Sequence, residues 1–589
     1  MRPDSLIRPA VHSRLRGRPW LALVLVALCV PALAQRAPVE ARHGMVVSAS
    51  QIASQIGVDI MKRGGNAADA AVATGLALAV VYPRAGNLGG GGFATLRLAS
   101  GKATTIDFRE TAPAAASRDM YLDAGGQVVA GASTVGYKAA GVPGTVAGMA
   151  LLHQKYGSGK LSWSELLEPA RRLADQGFPV STNLARDLRS SERLLGRFAE
   201  SKRIFLRDGK YYEAGETFRQ PDLAKTLQRM QKSGAREFYT GDTAKLLAAD
   251  MKANGGTIAL ADLAAYEAVE RPALTGSYRG YDIVTMGPPS SGGVALLQML
   301  GMLAPRDVAA LDFHSAAQIH LFVEVMRRAF RDRASFLGDA DYVQVPIERL
   351  LDKSYITSLM KDFDPDHATP SDALRASPIP PAESTDTTHF SVVDAAGNAV
   401  SITYTLNGLY GNGVTVPGAG FLLNNEMDDF TSKVGAPNGY GLIQGESNAI
   451  APGKRPLSSM TPTIVARNGK PFLITGSPGG PTIINTVFLV ITNVIDFGMN
   501  VTRAVDAPRF HHQWQPDTIR YEPNFATSET IEQLAAKGHR FGQRRLYENV
   551  PVDEGRNQGD AESIMIDPKS GARLGANDIR SADSAAVGY

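Results

Sequence analysis

One break in the chain constrains its fold more than any other feature. From His367 to Asp386 the sequence reads HATPSDALRASPIPPAESTD, rich in Pro, Ser and Ala and short of large apolar side chains. Such a stretch buries too little apolar surface to offset the entropy lost on ordering it. Strand composition begins directly afterwards: Thr388 to Val393 and Ala399 to Leu406 are rich in β-branched and aromatic residues. Asp394-Ala395-Ala396-Gly397-Asn398 lies between them. A three-residue loop 395–397 with Gly397 in the left-handed conformation is a common hairpin connection. That register pairs Asp394 with Asn398 and, rung by rung, Thr387 with Thr405, with Cβ atoms about 5 Å apart. Asn407 falls on the same face, two residues further on. Its opposite number, Thr385, belongs to the segment that cannot pack. A cut before Thr387 would open space beside Asn407 and leave a new α-amine there.

That placement is chemically useful. A Thr hydroxyl is a poor nucleophile unless a base accepts its proton. A free α-amine has a pKa of about 7.7–8.0, close to ideal for the task. Thr387 is therefore a candidate processing site and nucleophile in one, with no Ser-His-Asp triad required. Two threonines at a strand start carry little alone, so wider patterns must decide.

The N-terminus reads as an export signal. Arg2, Arg8, Arg14, Arg16 and Arg18 precede the apolar run Trp20 to Val30, and Ala32-Leu33-Ala34 is a small-residue cleavage motif. The run is shorter than the roughly 20 residues of a membrane span, so no stable anchor is expected after cleavage. Residues 1–34 carry five arginines against one aspartate, so their removal takes the net charge from +3 to −1. Nothing then asks for a nucleic-acid partner. Cys29 is the only cysteine. It leaves with the leader, so neither a disulfide nor a cysteine-ligated metal is expected. The address is a bacterial periplasm or the medium.

The rest of the chain is α/β in pattern and long enough for a large core. Asn66 precedes the almost wholly apolar run Ala67 to Val81, which predicts a capped, buried helix. Amphipathic helices are predicted around 164–176, 221–233 and 313–332. Asn87-Leu88-Gly89-Gly90-Gly91-Gly92-Phe93 lacks the Gly-Lys-Ser/Thr of a phosphate loop, so close backbone packing is expected there. His511 and His512 are adjacent and would point to opposite faces of a strand, so no metal is expected, and no cofactor.

Several longer motifs decide the matter. Thr387 to Asp394 (TTHFSVVD) resembles the small-subunit start of the bacterial γ-glutamyltranspeptidases. So do Leu422 to Phe430 (LLNNEMDDF), Lys454 to Met460 (KRPLSSM), Gly476 to Gly480 (GSPGG) and Ala507 to Trp514 (APRFHHQW). Asp107 to Glu110 and Gly141 to Gly144 resemble the large subunit. The resemblance implies the N-terminal-nucleophile hydrolase fold, an αββα four-layer sandwich built by both subunits as one unit. It implies cleavage between Asp386 and Thr387, giving a large subunit 35–386 and a small, catalytic subunit 387–589 that form a heterodimer. Thr387 would be the nucleophile, Thr405 its positioning hydroxyl, and the Gly479 and Gly480 amides the oxyanion hole.

For the γ-glutamyl donor, the resemblance assigns the α-carboxylate to Arg109, Ser458 and Ser459, and the α-ammonium to Asn407, Glu426 and Asp429. Tyr440 would sit in a lid loop. Position 426 carries Glu where the family also uses Gln; both accept a hydrogen bond from an ammonium. The implied reaction moves the γ-glutamyl group of glutathione or other γ-glutamyl amides to water or to amino-acid and dipeptide acceptors. The alternatives are a cephalosporin (glutaryl) acylase of the same fold, which has no α-ammonium to bind, and a non-catalytic periplasmic binding protein.

Overall fold

The structure is a computed structural model that describes residues 36–374, 387–436, 438, 442, 444–542 and 558–589. Two seven-stranded antiparallel sheets carry the molecule from Ala37 onward. One runs Ala585–Gly588, Met45–Ser48, Thr388–Val393, Ala399–Thr405, Gly91–Arg97, Ala103–Phe108, Val269–Arg271. The other runs Val39–Ala41, Arg573–Ala576, Ser563–Ile566, Lys470–Thr475, Thr463–Arg467, Tyr281–Thr285, Leu274–Tyr278.

Side-chain alternation along the strands builds the layers. In the first sheet Phe390, Val392, Val400, Ile402 and Tyr404 face one way, into a core shared with the helix Ala67–Val81. Val393 and Ala399 face the other way and meet Val284, Ile464, Ile474 and Ile564 of the second sheet. The neighbours of those residues, Ile283, Val465 and Leu473, point outward to the helices Gly292–Leu303, Ala316–Phe336 and Thr482–Ile495. The order is helix, sheet, sheet, helix, as the resemblance implies.

The local signals act as expected. Asn66 caps Ala67–Val81 through the Ala68 and Asp69 amides, with Asp69 returning a bond to the Asn66 amide. The predicted amphipathic helices are Trp163–Gln176, Pro221–Ser233 and Ala316–Phe336. The glycine run packs closely: a Cβ at Gly89 would strike the Leu422 carbonyl, and one at Gly90 the Thr405 carbonyl.

The hairpin has the register read from sequence, from Val393↔Ala399 out to Thr388↔Tyr404. The Asp394 amide donates to Asn398 O at 3.1 Å, and Gly397 has φ +89°. The strand ends at Thr405, one residue short of Leu406. There Asn407 takes φ +74°, a left-handed conformation that Asn tolerates better than most residues. Asn407 thus leaves the strand and does not extend its face, although it stays beside Thr405.

Candidate active site

The odd-numbered residues of Thr388–Val393 face the second sheet. Ser391 Oγ donates to Glu562 O at 2.7 Å, and across the hairpin Ser401 Oγ donates to Thr475 O at 3.0 Å. His389 lies between them, bonded to Thr403 Oγ1 (2.9 Å) and Ser391 Oγ (3.1 Å), and burial pushes its imidazole down to about 3. It is therefore neutral and serves packing. Thr387 and Thr405 share this parity, at the end of the sandwich where the second sheet sends out the loop after Lys470–Thr475. That loop passes close: a Cβ at Gly476 would collide with the His389 ring.

Fourteen residues line a pocket of about 20 Å³ at this point, including Thr387, Thr405, Asn407, Arg109, Glu426, Asp429, Ser458, Ser459 and Gly480. All nine are candidates from the sequence. Gly479 is the neighbour of Gly480, with φ +130° and +53° respectively. Tyr440 and Asp386 lie outside the described residues.

Each wall has a local cause. Thr405 Oγ1 accepts the Asn407 amide at 2.8 Å, and Asn407 Nδ2 donates to Asn425 O at 2.9 Å. Asn424 fixes the acidic turn: its carboxamide reaches Gly89 O, Gly141 O and the Gly141 amide, each at 2.8 Å. It also accepts the Glu426 amide at 3.0 Å. Glu426–Asp429 is a 3₁₀ turn with all four residues buried. Gln444 and Asn448 donate to Asp429 O, at 2.9 and 2.6 Å, and Asn438 Nδ2 reaches Asp429 Oδ1 at 3.4 Å. On the opposite wall the Ser458 amide donates to Pro289 O at 2.9 Å, and Ser458 O accepts Ser291 Oγ at 2.6 Å.

Arg109, fully buried at the end of Ala103–Phe108, pairs in this structure with both Glu426 and Asp429. Its Nε also donates to Pro456 O at 3.2 Å. The groups expected for a ligand carboxylate and a ligand ammonium therefore neutralise one another here. Burial alone would lower the Arg109 pKa, but Glu426 and Asp429 hold it above its ordinary value. Burial raises Glu426 well above the carboxylate range against the pull of Arg109, and raises Asp429 less far. Glu110, 3.8 Å from Arg109, is pushed up to about 8 by burial and carries its proton near neutrality.

Arg333 is the site residue that the sequence patterns did not reveal. It projects from the long helix Ala316–Phe336, donating to Ser291 Oγ (2.9 Å) and Ser459 Oγ (3.2 Å). Its Nη1 is buried without a hydrogen-bond partner among the described residues, and burial lowers its pKa to about 10. It remains a cation at neutral pH, open to a carboxylate. Nothing in the sequence sets it apart, since Arg327 and Arg328 of the same helix are buried as well.

The two adjacent histidines take separate partners. His511 bonds Asn485 and Gln513, and His512 bonds Asp517. A third cluster, His320, Glu324 and His539, is close enough to ligate a cation. The Glu324 carboxylate is already held by Arg327, Arg328 and the Thr369 amide.

The chain is similar to known proteins over most of its length. The Gamma-glutamyltranspeptidase family model matches residues 53–588. The glutathione hydrolase proenzyme of Escherichia coli (strain K12) is 47% identical over 553 residues, 94% of this chain and 93% of that protein. Among solved structures, cephalosporin acylase from Bacillus halodurans superposes with a TM-score of 0.81 at 27% identity, covering 96% of this chain and 99% of that one. A chain of Helicobacter pylori gamma-glutamyltranspeptidase is 46% identical with a TM-score of 0.54, covering 55% of this chain and 92% of its own length.

Proposed function

The chain belongs to the γ-glutamyltranspeptidase family, and from that premise we propose that it makes its own nucleophile by cutting itself before Thr387. It is a γ-glutamyl acyltransferase and hydrolase, acting on glutathione and related γ-glutamyl amides. Relatives named proenzymes fit a processed two-subunit enzyme. In this reading the Thr387 hydroxyl attacks the carbonyl carbon of residue 386, moving the acyl group from nitrogen to oxygen. Water then cleaves that ester. This leaves subunits 35–386 and 387–589 associated through the shared sandwich, and it frees the Thr387 α-amine.

In turnover the α-amine accepts the Thr387 hydroxyl proton as Oγ1 attacks the γ-carbonyl of the donor. The Gly479 and Gly480 amides stabilise the oxyanion, the amine returns its proton to the leaving group, and a γ-glutamyl ester remains on Thr387. Water or an acceptor amine then attacks that ester. For a γ-glutamyl group to reach these side chains, Arg109 must part from its acids. A zwitterionic donor replaces what it breaks. Its α-carboxylate takes Arg109, Ser458, Ser459 and the open edge of Arg333; its α-ammonium takes Asn407, Glu426 and Asp429. Tyr440 is assigned to the lid.

The observation that carries this reading is the convergence of Thr387, Thr405, Gly480 and the Arg109–Glu426–Asp429 cluster on one pocket. The acylase alternative shares the sandwich, but a glutaryl group offers nothing to satisfy two buried acids. Incubation with γ-glutamyl-p-nitroanilide tests the reading: nitroaniline should be released, faster with glycylglycine present. Release from the glutaryl anilide alone would favour the acylase.

Thr405→Val keeps the side-chain shape and removes the hydroxyl. It is expected to slow both processing and kcat by about 10-fold or more while leaving Tm nearly unchanged. A variant with wild-type rates would show that the hydroxyl does not position Thr387.

Export of the chain, with removal of 1–34, rests on the composition of that segment. No helix among the described residues is long and apolar enough to cross a membrane.

A further inference from the structure

The oxyanion loop contains an arrangement with no part in the reaction steps above. In the peptide unit Pro478–Gly479, Ser477 Oγ donates to the Pro478 carbonyl at 2.7 Å. In the next unit, Gly479–Gly480, Thr482 Oγ1 donates to the Gly479 carbonyl at 2.8 Å, alongside the Thr482 amide at 3.1 Å. The nitrogens of these same two units are the Gly479 and Gly480 amides. Among the described residues neither amide donates to a protein acceptor. Each of these N–H groups is thus the far end of a peptide whose oxygen receives a side-chain hydroxyl.

Both hydroxyls are buried, in Ser477 and in Thr482. Ser477 Oγ accepts the Asp560 amide at 2.9 Å, which turns its single proton toward Pro478 O. The backbone around Gly559 (φ +74°) comes close enough for this only because it lacks a side chain: a Cβ there would strike Ser477 Oγ. A Cβ at Gly479 would likewise strike Thr482 Oγ1. The glycines therefore admit the hydroxyls as well as the substrate.

Short Ser and Thr bonds to nearby backbone usually shape a turn and nothing more. Here they fall on the two carbonyls conjugated to the two amides that the reaction needs. Successive glycines leave peptide planes free to rotate, and an oxyanion hole is effective only when its dipoles are already oriented. A hydrogen bond to a peptide oxygen fixes that plane. It also draws charge through the conjugated C–N bond, so the N–H becomes a stronger donor, by about 10–30% per bond.

We propose that Ser477 and Thr482 are positioning residues that orient and polarise the two oxyanion-hole amides, one hydroxyl to each. The inference rests on Gly479 and Gly480 forming the oxyanion hole. Neither side chain touches the substrate, so the effect should appear in transition-state stabilisation and not in ground-state binding.

The test compares wild type with Ser477→Ala, Thr482→Val and Thr482→Ser, using γ-glutamyl-p-nitroanilide. Ser477→Ala and Thr482→Val should each lower kcat about 10–100-fold, below the loss expected for deleting a donor outright. KM should change by less than about twofold, and Thr482→Ser should recover most of the rate. A boronic acid bearing the glutamyl side chain, whose tetrahedral adduct places an oxygen in the hole, should lose affinity in step with kcat/KM. Competition by free glutamate should not change. The proposal is overturned if Thr482→Ser is as damaged as Thr482→Val, if KM absorbs the loss, or if the rates do not move. Failure of the underlying reading looks different, because wild type itself would then release no nitroaniline.

Discussion

Thr387→Ala is expected to yield one uncut chain that releases no nitroaniline from γ-glutamyl-p-nitroanilide, a loss of about 10⁴-fold or more. The size of the effect follows from two roles carried by one residue. Thr387 opens the peptide bond that precedes it, and the amine released there is the base for the same hydroxyl. Removing the hydroxyl stops the first event and therefore never creates the second. No other group takes over. His389, the nearest imidazole in sequence, is bonded at both nitrogens and held neutral by burial. Folding should survive, because Thr387 precedes the first paired strand residue, Thr388, and both seven-stranded sheets are complete without its side chain. The check is a denaturing gel with N-terminal sequencing: wild type should give two fragments, the smaller beginning Thr-Thr-His-Phe. A Thr387→Ala chain that still splits there would assign the cut to another nucleophile.

Asp429→Asn should cripple turnover of γ-glutamyl amides while leaving self-cleavage largely intact, because processing involves no ammonium ligand. Removing one partner of a desolvated charge pair costs about 2–5 kcal/mol, or about 30-fold and upward in kcat/KM. The structure adds a complication that the measurement must separate. Asp429 also pairs with Arg109, so the variant loosens a carboxylate-binding guanidinium as well as an ammonium site. That second loss falls on any substrate with a carboxylate. The ratio of kcat/KM for matched γ-glutamyl and glutaryl anilides cancels it and isolates the amine. The ratio should fall by most of the total effect. Equal losses on the two substrates would mean that Asp429 holds the pocket together and does not read the ammonium.

Much of the site was legible because it hangs on one hairpin. Loop length and Gly397 set the register out to Thr388↔Tyr404, and the next residue on each side, Thr387 and Thr405, lines the same pocket. The apolar helix Ala67–Val81 and its Asn66 cap were equally local, and the four glycines from Gly89 to Gly92 marked close packing that the carbonyls of Leu422 and Thr405 explain. Asn407 departs from the expected face because strand periodicity carries no signal for where a strand ends. In the turn its amide meets Thr405 Oγ1 and its side chain the distant Asn425 carbonyl. Arg333 was invisible for a related reason. It belongs to a helix of 21 residues, and only the crossing of that helix over Ser291 and Ser459 makes it part of the pocket. The mutual pairing of Arg109 with Glu426 and Asp429 could not be read from the residue types.

In this mechanism Thr387 carries the acyl group on a hydroxyl made competent by the cut. This is tested most directly by quenching the enzyme in acid during turnover of a γ-glutamyl amide and mapping the covalent label by mass spectrometry. The predicted result is a single γ-glutamyl group on the peptide that begins Thr387-Thr388-His389, present only in chains already cut before Thr387. A label on any other residue, or turnover by chains in which that peptide bond is intact, would contradict it.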